Sequence, residues 1–161
     1  MTSSGDAPSA RLAALGLALP AALAPVGSYK AARLHEGLAY VSGQLPMGQD
    51  GLVKGCVGEK VSVEDGAAAA RLCALNLLAQ AASLVGGDID GLGGCLKLTG
   101  FVASGPSFEA HPKVLNGASD LMVAVFGDAG AHVRAAVGVS SLPLGAAVEV
   151  EGVFLLADRR S

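Results

Sequence analysis

The chain has 161 residues, enough for one domain with a real core and too few for two ordinary ones. Hydrophobic residues make up 52%, charged residues 16%, and glycines number 23. The core is therefore expected to be filled by Ala, Val and Leu in closely approaching elements, with some surface buried against another subunit. The net charge is −3, and the densest basic cluster is the Arg159-Arg160 pair, which argues against a nucleic-acid binder with its basic footprint.

Cys56, Cys73 and Cys95 are odd in number and form no C-x-x-C pair, while His35, His111 and His132 lack metal-ligand spacing. The chain reads as cytoplasmic, with no metal and no cofactor. Cys56, in a Gly-rich connection, is the cysteine expected to be reactive.

Residues 1–23 read as an N-terminal extension. Its apolar stretch RLAALGLALPAALAP ends in small residues but lacks the basic n-region of a secretory leader. Leu12, Leu15 and Leu19 share one face of a short helix stopped near Pro20. No apolar run reaches the roughly 18 residues of a membrane span. A single domain over residues 24–161 follows. SYKAARLHEGLAYVSGQLP reads as a hairpin turning at Glu36-Gly37, and MGQDGLVKGCVGEKV as a polar connection. EDGAAAARLCALNLLAQAASLVGG spaces Ala70, Cys73, Leu77, Ala81 and Leu84 as an amphipathic helix stopped by Gly86-Gly87. GCLKLTGFVAS is a third strand with an irregularity at Gly100. Val114, Leu115, Leu121, Val125 and Phe126 then mark a second helix ending at Gly127. Two strands joined at SSLPLGA close the chain, giving an α+β domain with a mixed sheet covered by helices on one face.

Arg134 lies in the first of those strands. Alternation puts His132, Arg134, Ala136, Gly138 and Ser140 on one face and Val133, Ala135, Val137 and Val139 on the other, taken as the core face. A hairpin centred near Pro143 would bring Arg134 close to Glu149, which shares a face with Glu151. Two readings stay open: an ion pair under another subunit, with doubtful net benefit after desolvation, or a guanidinium awaiting a ligand carboxylate while Glu149 handles water or a proton.

APVGSYKAA, YVSGQLP, HVRAAVGVSSLP and VEVEGV stand in the order and at roughly the intervals of the RidA family, also called YjgF or L-PSP endoribonuclease-like. The resemblance covers about residues 24–157, and RLAALGLALP resembles the start of a longer branch of that family. It implies a chorismate-mutase-like α+β fold with two main helices on one face of a mixed sheet. It also implies a homotrimer with ligand clefts between neighbours, and hydrolysis of reactive enamine and imine acids to 2-keto acids and ammonia.

On this resemblance Arg134 grips the substrate carboxylate and Glu149 handles the attacking water. Tyr29, Ser42, Gly43 and Asn116 match cleft positions, the last with a one-residue shift. Ala136 stands where the best-known members have cysteine, and Ser119 and Asp120 where many have a tyrosine. His132 replaces a proline-containing approach to the arginine and adds a polar group to the cleft. The implied partners are a small carboxylate-bearing imine, enamine or keto acid and further copies of the chain, with no membrane or nucleic acid. The alternative function is a non-catalytic trimer that binds small carboxylates or serves under stress. Endoribonuclease activity, from which the family takes one of its names, fits the acidic balance poorly.

Overall fold

The two residues Glu36 and Gly37 both have positive φ, 47° and 80°, the conformation a tight two-residue hairpin loop requires. They join β1 (Ala32–His35) to β2 (Leu38–Gln44), with His35 opposite Leu38. The computed structural model describes residues 6–158. Residues 1–5, at the start of the extension, and the Arg159-Arg160 pair lie outside the described residues.

Upstream of the hairpin, α1 (Pro8–Ala14) is shorter than the leucine spacing predicts. Leu12 is buried, whereas Leu15 is exposed beyond the helix end. Ser9 donates from its backbone N–H and its hydroxyl to the Asp90 carboxylate, at 2.8 and 2.6 Å, tying α1 to the body of the fold. The connection after β2 carries a two-residue hairpin of its own, β3 (Met47–Gly48) and β4 (Gly51–Leu52).

Ser62 caps α2 (Val63–Ser83), its hydroxyl accepting from the Asp65 N–H at 3.0 Å with Glu64 and Asp65 in the first turn. The helix is buried on more sides than its expected stripe, since Ala74, Leu75, Leu78, Ala79 and Ala82 are also covered. The cause is the segment after α1, which lies along the outer side of α2. There Leu17 and Leu19 pack against the core, and Gln80 donates to the Leu23 carbonyl.

β5 (Leu92–Ala103) leads through α3 (His111–Phe126) to β6 (Val133–Val139), and β7 (Val148–Leu156) ends the domain. The sheet order is β1-β2-β7-β5-β6. β6 runs parallel to β5, so a crossover is obligatory and α3 supplies it. β7 lies antiparallel between β2 and β5. Irregular pairing along β5 falls near Gly94 and Cys95, not at Gly100. Gly100 is regular, and a side chain there would collide with Leu115 of α3.

Two expectations are corrected by this topology. The last two strands form no hairpin, because β5 stands between them. The faces of β6 are also reversed. Arg134 lies abreast of the fully buried Leu98, Ala136 abreast of Gly100 and Gly138 abreast of Val102, so all three stand on the face of the sheet that carries the helices. The small residues Ala136 and Gly138 let α3 approach: a Cβ on Gly138 would meet His111 and Ser104. Val133 and Val137 lie on the open face, 67% and 44% exposed. Among the described residues no helix is long and apolar enough to cross a membrane.

Candidate functional site

Arg134 stands on the edge strand β6, and its guanidinium turns under α3. Nη1 donates to Asn116 Oδ1 at 2.8 Å and to Ser119 Oγ at 3.0 Å, and Nη2 donates to the Pro112 carbonyl at 3.2 Å. Residues 112, 116 and 119 recur at helical spacing, so α3 offers acceptors from successive turns of one face. A guanidinium has five N–H donors. Three are used here, leaving the Nε–H and one N–H of Nη2 on adjacent nitrogens, as many as a bidentate carboxylate takes. Arg134 itself is exposed, so those donors are open to a ligand.

His132 sits one alternation before Arg134. Its Nδ1 lies 2.7 Å from the Gly130 carbonyl oxygen and its Nε2 2.9 Å from Ser119 Oγ. The residues gathered at this edge are thus Arg134, Asn116, His132 and Ser119. The sequence singles out Ser119 only as a residue standing where many members of the resembled family carry tyrosine. Its spacing of three from Asn116 on a predicted helix was the signal that could have found it.

Glu149 is elsewhere. It lies on β7 abreast of Phe101 and Val137 on the open face of the sheet, opposite to the face that holds Arg134. Within one chain the two are not an ion pair. Burial, then the neighbouring charge of Glu151, raises the Glu149 carboxyl above its ordinary range. The Glu149 carboxylate lies directly against the α-carbon of Gly43, where any Cβ would overlap it. That contact falls at the irregular stretch of β2 between Val41 and Gln44, where the ladder with β7 slips. Ser42 is beside it, with both its N–H and its hydroxyl donating to the Ala31 carbonyl at 2.9 Å. Tyr29 is 52% exposed on the coil that leads into β1.

The predicted site residues other than Tyr29 therefore separate into two groups on opposite faces: Arg134, Asn116 and His132 at the sheet edge, and Ser42, Gly43 and Glu149 on the open face. Beside the second group the open face holds a basin of about 640 Å³ bordered by Lys30, Arg33, Tyr40, Lys97, Thr99 and Glu151. Cys56 is half-buried, and burial and then the charge of Glu59 raise its thiol pKa, which lowers its thiolate fraction. His111 pairs with Ser104, Nε2 to Oγ 3.2 Å, and packs edge-on to Phe108.

The mixed sheet and the crossover helix α3 make this a chorismate-mutase-like α+β fold. Residues 9–158 match the family described as "YjgF/chorismate mutase-like, putative endoribonuclease". The chain belongs to this YjgF, or RidA, family. It is 45% identical over 149 residues to Protein TCP17 of Trypanosoma cruzi, covering 91% of this chain and 92% of that protein. The crystal structure of Atu1372 from Agrobacterium tumefaciens, described as of unknown function, is 42% identical with a TM-score of 0.86, covering 93% of this chain and 92% of that one. RidA from the Antarctic bacterium Psychrobacter sp. PAMC 21119 is 26% identical with a TM-score of 0.57, covering 83% and 93%.

Proposed function

We propose that the protein is an enamine/imine deaminase that hydrolyses 2-imino or enamine acids to 2-keto acids and ammonia. In this reading each cleft joins the edge half-site of one copy to the open-face half-site of a neighbour in a homotrimer. The observation that carries it is the pair of unused donors on Arg134: three N–H groups are fixed on α3, and two on adjacent nitrogens are left for a carboxylate.

The chemistry follows from the two half-sites. Bidentate binding by Arg134 orients the adjacent C=N carbon. Glu149, lodged against Gly43, accepts a proton from water as the hydroxyl adds to that carbon, and can return it to the departing nitrogen. The added hydroxyl then gives its proton to the same nitrogen as the C–N bond breaks, so ammonia leaves and that oxygen becomes the keto carbonyl. An enamine first gains a proton at Cβ and loses one from nitrogen to become the imine. The exposed apolar side chains of the open face, Tyr40, Val133, Val137 and Leu155, support a neighbour's covering it.

The test is to generate 2-iminopropanoate in situ with an amino-acid oxidase and follow its decay. Faster decay with the wild-type protein, lost in Arg134→Ala, is the expected result. No acceleration, or full activity in Arg134→Ala, would overturn the assignment. Stabilisation by keto acids without turnover would instead favour a carboxylate-binding protein.

A further inference from the structure

Arg134 is held by α3, but the polarity of one of those contacts is set from outside the helix. The Gly130 carbonyl oxygen can only accept, so His132 Nδ1 carries the proton of their 2.7 Å hydrogen bond. In the neutral ring Nε2 is then bare and accepts, and the Ser119 hydroxyl donates to it at 2.9 Å. The single hydroxyl proton is thereby used. Toward Arg134 Nη1, 3.0 Å away, Ser119 Oγ is left as an acceptor, which suits a guanidinium that only donates.

The anchor of this chain is rigid. Gly130 closes the turn Gly127–Gly130, is buried, and packs so closely on the backbone of Met122 and Val123 that no side chain fits.

We infer that His132 and Ser119 are positioning residues for Arg134. The ordered chain of hydrogen bonds from Gly130 through His132 and Ser119 to Nη1 holds the guanidinium plane so that its Nε edge faces the ligand. This rests on the reading of Arg134 as the carboxylate holder. The chain acts on ligand binding: it orients the cation and touches no reacting atom.

Two measurements test it. The first is the ¹⁵N chemical shifts of the His132 ring in the wild-type protein near neutral pH, which should show a protonated Nδ1 and a bare Nε2. A ring protonated at Nε2 alone would overturn the chain. The second is chemical-shift titration with pyruvate, paired with steady-state kinetics on 2-iminopropanoate. Ser119→Ala and His132→Phe are expected to weaken pyruvate binding and raise KM by roughly tenfold, the equivalent of one charge-assisted hydrogen bond, with kcat little changed. His132→Gln, whose side-chain oxygen can accept from Ser119, should recover most of the loss.

The outcomes separate the two readings. Pyruvate binding to Arg134→Ala as tight as to wild type, or no binding to wild type, overturns the carboxylate reading of the cleft, and the inference that rests on it. Loss of binding in Arg134→Ala together with wild-type KM in both Ser119→Ala and His132→Phe leaves that reading intact and overturns the positioning role. Ser119→Ala is a small change on a half-exposed helix position, so it decides the matter even if His132→Phe does not fold.

Discussion

The Glu149 carboxyl is raised by burial first and by the charge of Glu151 second. Its folded state thus binds a proton more tightly than its unfolded state. Stability from this group is complete below the ordinary carboxylate range and is lost as pH rises through the raised folded pKa. Glu149→Gln removes the cost of ionisation, so the variant should melt above wild type at neutral pH. The gap should close as the pH falls below the ordinary carboxylate range, and thermal unfolding of both proteins between acid and neutral pH measures it. A gap that does not change with pH would detach the effect from this carboxyl. Gly43 packs against the same group. A Cβ there overlaps the end of a flexible side chain, not backbone, so Gly43→Ala should fold with near-native melting while displacing the carboxylate. A misplacement of this kind costs on the order of a hundredfold in kcat, and imine hydrolysis beside a melting curve reads both effects.

Helices α2 and α3 meet at a point where only glycine fits: a Cβ on Gly117 would strike the backbone carbonyl of Ala67. Gly117→Ala gains about 1 kcal/mol in helix propensity, but forcing two backbones apart costs about 1–3 kcal/mol. The overlap is with a carbonyl that cannot swing away, so the packing cost wins. The urea midpoint should fall without a change in m-value, and an unchanged midpoint would contradict the contact. The helices were legible in the sequence because Leu, Val and Ala recur at their period and Gly127 stops α3. The first hairpin was legible because Glu36-Gly37 permits one kind of turn. What local pattern could not give was the place of β7. The link from Ser140 to Ala147 is short enough for a hairpin, yet β6 is committed to parallel pairing with β5 through α3, and β7 fills the space between β2 and β5. The faces of β6 failed for a related reason. Ala136 and Gly138 are small because α3 lies close above them, whereas Val133 and Val137 are large on a face that no element among the described residues covers. Arg134 and Glu149 were found as residues, but their separation onto opposite faces depends on this strand order.

At the scale of the whole molecule, that separation has a definite consequence. If each cleft takes Arg134 from one copy and Glu149 from the next, two inactive variants can repair each other. Arg134→Ala and Glu149→Gln proteins, unfolded together in equal amounts and refolded, would assemble mixed trimers. In these a junction is intact when the copy giving the guanidinium carries the Glu149 substitution and the copy giving the carboxylate carries the Arg134 substitution. Random mixing around a closed ring makes about a quarter of junctions of this kind, so about a quarter of wild-type imine hydrolysis should return. Each variant refolded alone should stay inactive. A mixture as inactive as its parts, with trimers present by sedimentation, would mean that the two residues serve one cleft from the same copy. The sheet order makes that arrangement hard to build, since the side chains leave opposite faces of a five-stranded sheet. Val137→Glu supplies the other arm. It puts a charge on the open face abreast of Phe101 and Glu149, where a neighbour would have to bury it, so the chain should sediment as a monomer with native circular dichroism. It should also lose hydrolysis although Arg134, Asn116, Ser119 and Glu149 are all unaltered.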